Sequence, residues 1–257
     1  MPVEHALLLA VAALAAGALN AIAGGGSFLT FPALVFTGVP PIAANATSAV
    51  AVSPGYLGST LGFRAELAAL PRRRLGTEAA LAATGGVLGA LLLLVTPAPT
   101  FRALVPWLLL FATAVFAVGP WLVRRLAAAR NAPVGGEAGS TRHMARHAGL
   151  LAVAVYGGYF NGGLGILLMA LYAVAGEPRI HTANALKNLN SLVLSLLSVA
   201  TFALAGAIAW GPALLMMAAA TAGGYLGARW ARRLPAAVVR AVVIGTGLVM
   251  SAVFFMR

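Results

Sequence analysis

The sequence predicts an all-α polytopic membrane protein made of two inverted-topology repeats of about five helical segments each. Short or re-entrant segments are expected at glycine-rich breaks. Three observations predict this. The 257 residues are 61% hydrophobic and 9% charged, with a mean hydropathy of +0.95, against about 45–50% apolar and about 25% charged in soluble domains. Residues 6–63 hold no charged side chain and no His. A shift of 138 residues lays Gly85-Gly86-Val87-Leu88-Gly89-Ala90 on Gly223-Gly224-Tyr225-Leu226-Gly227-Ala228. The composition excludes disorder. Cysteine is absent, which excludes disulfide frameworks, Cys-ligated metal and thiol chemistry.

One crossing needs about 20 apolar residues, so the uncharged run of 58 residues at 6–63 must be subdivided. Gly24-Gly25-Gly26 and Pro32, Pro40, Pro41 and Pro54 are its punctuation. The expected helices are 6–22, a short 27–37, and 42–63. Spans follow at 77–95 and 101–123. The polar stretch 124–147, with Arg124, Arg125, Arg130, Arg142 and Arg146, reads as the linker. Beyond it lie 148–161, 163–176, 182–206, 212–233 and 235–256. Ala21-Ile22-Ala23 mimics a signal-peptide cleavage site, but residues 1–5 contain no Lys or Arg, as an n-region should. The segment is read as a first helix.

The 138-residue shift gives 14 identities in the 35 pairs from Gly85 to Gly119, including Pro97 on Pro235 and Arg102 on Arg240. Upstream, Asn20 matches Asn161 and Asn45 matches Asn184 across a short gap. The expected units are therefore 1–123, the basic linker 124–147, and 148–257. Their charges differ in a telling way. Loop 64–74 carries Arg64, Arg72, Arg73 and Arg74, while its counterpart near 206–211 is uncharged; loop 96–100 is uncharged, while its counterpart carries Arg229, Arg232 and Arg233. Cytoplasmic loops collect Lys and Arg. The expectation is that 64–74, 124–147, 177–181 and 229–234 lie inside, that the halves are inverted, and that both termini are external. Inverted repeats are a mark of secondary transporters, with the site between the repeats. The net charge of +12 does not indicate nucleic acid, because the arginines flank apolar runs instead of forming one basic face. Membrane lipid is the expected environment. A homo-oligomer is compatible with the sequence, and no cofactor is implied.

Asn20-Ala-Ile-Ala-Gly24-Gly25-Gly26-Ser27 and Asn161-Gly-Gly163-Leu-Gly165 interrupt apolar stretches, and each precedes a short apolar helix. Glycines here can expose backbone N–H groups at helix N-termini, which attract anions. The competing reading is close helix packing at small residues. Lys187, the only Lys, sits about two turns into a span within Asn184-Ala-Leu-Lys187-Asn188. An ionisable residue there faces a pathway or a partner, unless its stem snorkels to the interface. Asn45, Thr47 and Ser48 are its uncharged counterparts, able to donate to an oxyanion or to bond the preceding turn. Tyr56, Tyr159 and the tryptophans read as packing or belt residues. Glu78 falls near a helix start and is set aside, so no carboxylate relay or sodium site is expected. No HExxH, Asp pair or His within a span supplies enzyme chemistry.

The ordered pattern Asn20, Gly24-Gly25-Gly26-Ser27, Pro32, Gly38, Pro41, Ala44, Thr47-Ser48, then Asn161-Gly162-Gly163 with Gly165, then Ala185-Leu186-Lys187-Asn188, Phe202, Gly206 and Trp210, then Gly223 with Leu226-Gly227 resembles the TauE/SafE family of sulfite exporters. The likeness covers nearly the whole chain. It departs at the second glycine motif, which is shorter and holds Leu164. The resemblance implies a bacterial or archaeal inner-membrane carrier with two inverted halves, moving sulfite, organosulfonates or other small organosulfur or carboxylate anions, often outward. The expected function is a secondary transporter exporting a small sulfur oxyanion or organosulfonate by alternating access. Its expected contacts are Asn20, Gly24, Gly25, Gly26, Ser27, Asn45, Thr47, Ser48, Asn161, Gly163, Gly165, Asn184, Lys187 and Asn188. An anion channel, a carrier of small carboxylates, and a scaffold docking through 124–147 are the other readings.

Overall fold

The computed structural model describes residues 1–22, 25–129, 139–230 and 236–256. Eleven α-helices occupy the described residues: α1 (Val3–Ile22), α2 (Ser27–Phe36), α3 (Pro41–Gly62), α4 (Arg64–Ala68), α5 (Arg72–Val95), α6 (Ala98–Ala129), α7 (Gly139–Tyr159), α8 (Leu164–Ala175), α9 (Ile180–Leu204), α10 (Trp210–Trp230) and α11 (Ala236–Phe255). Four stretches, Val3–Asn20, Arg72–Val95, Ala98–Gly119 and Ile180–Leu204, are long and apolar enough to cross a bilayer; Ser27–Phe36, Leu164–Ala175 and Ala241–Phe255 are shorter apolar helices. The chain is an all-α polytopic membrane protein.

Helix ends that fall at Gly or Pro lie close to the sequence expectation. Pro41 opens α3 at its first position, where its missing N–H is no loss. Elsewhere the helices outrun the apolar stretches. α5 starts at Arg72, not 77; α6 continues to Ala129; α7 starts at Gly139, inside the expected linker. Bilayer thickness limits the apolar stretch and not the helix, and Arg and Ala continue a helix well. The five-residue α4 was not expected. Residues 130–138 of the linker, and Arg232 and Arg233, lie outside the described residues.

Polarity is inverted relative to a soluble fold. Asn45, Thr47, Ser48, Glu78, Asn188, Asn190 and Ser191 are buried, while Leu7, Val11, Leu91, Trp107, Leu196 and Leu214 are exposed. The exposed apolar side chains suit lipid, and Asn45, Thr47, Ser48 and Glu78 find hydrogen-bond partners beyond their own helices.

Helix packing runs through glycine. α1 lies along α10, and α5 lies along α7. At the first crossing a side chain on Gly17 or Gly223 would strike the facing backbone, at Ala220 and Leu14 respectively. At the second, Gly85 would bring a Cβ to 2.5 Å from that of Ala154, and Gly89 and Gly158 face Tyr159 and Gly86. The two Gly-Gly pairs matched by the 138-residue shift thus serve equivalent crossings. α3 also packs on α10 and α9 on α5; α2 rests on α1 and α8 on α7; α6 packs on α11 and α3 on α9. Gly158→Leu is expected to overpack its crossing at a cost of about 1–3 kcal/mol or more. Gly58→Ala, with open space around its Cβ, should be neutral or gain up to about 1 kcal/mol from helix propensity. Thermal unfolding of the two variants in detergent checks the contrast, and equal effects would refute the packing role.

Candidate functional site

Both glycine breaks contain a residue of positive φ just ahead of a short helix. Gly25 has φ 106° before α2, and Gly163 has φ 75° at the N-cap of α8. Side chains rarely adopt these angles, so glycine is required at both. The breaks approach one face of α6. A Cβ on Gly163 would touch Ala112 at 3.5 Å, and one on Gly25 would touch the Phe116 ring at 3.1 Å. Ala112 and Phe116 are one turn apart, about 6 Å along the helix axis.

α3 meets both breaks as well. Tyr56 donates its hydroxyl to Asn161 Oδ1 at 3.1 Å. The neighbouring Gly55 leaves room for the amide nitrogen of Asn20, 3.3 Å from where its Cβ would stand. Pro54, just before them, has no N–H, so the Val50 carbonyl loses its helical partner. The matched asparagines therefore flank one broken turn of α3.

The expected contact residues divide by what already holds them. Asn20 Oδ1 accepts the N–H groups of Gly25 at 3.2 Å and Gly26 at 3.4 Å, closing the first break. In this conformation those donors are occupied. Gly26 packs on the backbone of Ala16, and Ser27 is the buried first residue of α2. Asn45 donates to the Tyr159 carbonyl at 3.0 Å, bracing the rim of the second break from α3. Thr47 Oγ1 accepts the Ala209 N–H at 3.0 Å, and Ser48 shares a 2.6 Å hydrogen bond with Thr30. Asn184 Nδ2 donates one turn back to the Ile180 carbonyl. Asn188 is buried. Gly24 lies outside the described residues.

Lys187 differs from all of these. It is half-buried on α9, and its Cδ lies 3.8 Å from where a Gly165 side chain would begin, at the first turn of α8. Among the described residues no ion pair or hydrogen bond engages its ammonium. A cation beside a helix N-terminus is a place where two positive potentials add. Close by on α9, Asn190 Oδ1 and Ser191 Oγ are buried without a hydrogen-bond partner.

Sequence reasoning missed a second polar centre. Glu78, 0% exposed, receives Arg74 Nε at 3.0 Å and the Tyr172 hydroxyl at 2.6 Å; Asn190 Nδ2 reaches it at 3.3 Å and Arg146 Nε stands 3.7 Å away. Arg74 also donates to Glu177 at 2.7 Å. The spacing of Arg74 and Glu78, four apart on a helix, was the available signal. Tyr56, read as packing, is likewise a hydrogen-bonding residue of the second break. Asn20→Ala would leave two partly buried backbone donors unpaired and is expected to cost about 1–3 kcal/mol. An unchanged thermal midpoint would show that Asn20 does not hold the break.

No group of His, Cys, Asp or Glu able to hold a metal occurs among the described residues. A family model described as sulfite exporter TauE/SafE matches residues 9–254. A probable membrane transporter protein of Haemophilus influenzae is 29% identical over 238 residues, covering 91% of this chain and 88% of that one. A probable membrane transporter protein, ORF9, of a Sinorhizobium species is 25% identical over 236 residues, covering 92% and 87%. The probable membrane transporter protein YfcA of Escherichia coli is 28% identical over 256 residues, covering 93% and 86%. No solved structure matches the chain.

Proposed function

The chain belongs to the sulfite exporter TauE/SafE family of membrane transporters, and on that premise we propose that it is a secondary carrier exporting sulfite or an organosulfonate across a bacterial inner membrane. The observation that carries the reading is Lys187, a cation inside a span with no carboxylate in ion-pair contact among the described residues, set against the first turn of α8. A cation in that place lowers the cost of bringing an anion into the bilayer. Most of the asparagines and hydroxyls around the breaks act by holding backbone in place.

Alternating access comes from two inverted repeats, 1–123 and 148–257, joined by the basic linker. The helix pairing supports this. Exchanging each helix with its counterpart turns α1 on α10 into α7 on α5, and α3 on α10 into α9 on α5, while α6 on α11 and α3 on α9 map onto themselves. The proposed topology has 64–74, 124–147, 177–181 and 229–234 on the cytoplasmic side and both termini outside. Arg74, Arg146 and Glu177 come from three of those segments; Arg74 and Arg146 both pair with Glu78, and Arg74 also pairs with Glu177, which supports their lying on one side.

Counterflow in proteoliposomes tests the carrier. Vesicles loaded with unlabelled sulfite are expected to accumulate labelled sulfite transiently, with saturation. Flux proportional to concentration without counterflow would indicate a channel, and absence of sulfite and sulfonate flux would refute the assignment.

A further inference from the structure

The charge inventory of the interior bears on the charge of the cargo. Of the Lys and Arg side chains whose surroundings are described, three are not exposed: Arg74, Arg146 and Lys187. Arg74 and Arg146 meet Glu78 and Glu177, two cations against two carboxylates. The charges of these four side chains balance. Glu66, half-buried on α4 between spans, makes no ion pair among the described residues. Of the three cations, Lys187 is the one with no ion-pair partner among the described residues.

A low-dielectric interior penalises net charge steeply, so a bound anion is held best when it cancels the site's charge and no more. We infer that the Lys187 site takes monoanions, the hydrogensulfite form or a sulfonate, and discriminates against dianions such as sulfite proper and sulfate. The neighbouring unpaired groups fit this. Ser191 lies one turn along α9 on the same face as Lys187 and is fully buried, with no partner for its hydroxyl. A hydroxyl offers a hydrogen bond to an oxyanion without adding charge. A second negative charge on the cargo would have no counter-ion among the described interior residues. The inference rests on the anion-carrier reading and sharpens it to a protonation state.

The test uses the purified full chain and three probes, methanesulfonate, sulfite and sulfate, at constant ionic strength and at mildly acidic and mildly alkaline pH. Ligand-induced thermal stabilisation reports apparent affinity. Methanesulfonate keeps one charge throughout and is expected to bind equally at both pH values. Apparent sulfite affinity is expected to fall by about tenfold per pH unit on the alkaline side, as the competent monoanion fraction shrinks. Sulfate is expected to be weaker than methanesulfonate by at least about tenfold. Lys187→Arg should keep this order. Asn184→Lys adds a cation on the same helix face and should raise sulfate relative to methanesulfonate by about tenfold.

Sulfate, or sulfite at alkaline pH, binding as tightly as methanesulfonate would overturn the monoanion inference while leaving the carrier standing. A parallel alkaline loss for methanesulfonate would place the titration in the protein and overturn it too. Stabilisation by none of the three would overturn the carrier reading itself.

Discussion

Glu78→Ala is expected to remove about 3–5 kcal/mol of stability, the largest effect of any single substitution considered for this chain. The substitution leaves Arg146 with no counter-charge and Arg74 with Glu177 alone. It also strips Tyr172 and Asn190 of their shared acceptor. Breaking a buried pair costs far more than replacing it whole, because the penalty lies in the uncompensated charge. The position matched to Glu78 by the 138-residue shift is Met216, also fully buried. The equivalent place in the other half is thus apolar. Glu78→Met with Arg146→Met removes one charge of each sign and leaves Arg74 paired with Glu177. That double variant is expected to recover most of the loss. Thermal unfolding in detergent reads both, and a double variant no better than Glu78→Ala would show that shape and not charge balance holds the cluster.

Lys187→Gln has the opposite signature. Truncating one partner of a desolvated ionic contact costs about 2–5 kcal/mol, so anion affinity should fall by at least about 30-fold. Stability of the ligand-free protein should hold or rise, since an unpaired cation has been taken out of the interior. Transport lost together with stability would mean that Lys187 is structural. Transport retained at full rate would remove it from the pathway.

Much of the fold was legible because the bilayer is a simple solvent. Apolar length gives the spans, and Gly and Pro mark where the backbone must turn, so α2 at Ser27–Phe36 and α8 at Leu164–Ala175 fell within about a residue of expectation. Lys187 stood out by its chemistry alone. The cluster at Glu78 did not, since distance from a helix end says nothing about what packs over it. There Arg146 of α7, Tyr172 of α8 and Asn190 of α9 close over Glu78 and turn a position near a helix start into a buried one. The asparagines were legible as special but not as braces. Whether Asn45 faces cargo or the Tyr159 carbonyl depends on the pairing of α3 with α7's end, a contact between residues more than a hundred apart. The repeated Gly-Gly pairs showed that two crossings were alike without showing which helices crossed.

The exchanged pairing of α1 with α10 and α5 with α7 has a consequence for biogenesis. When the ribosome has released the first half, the glycine-lined flanks of α1 and α5 still lack the helices that will cover them. The early segments wait in the membrane for partners up to two hundred residues behind. Fragment 1–123 made alone is expected to be cleared by membrane proteases, as is 124–257, while the two made together should associate into an intact protein. The halves are interlocked by assembly order as well as by sequence, and quality control in the membrane has to tolerate an unfinished first half for the whole time the second is being synthesised.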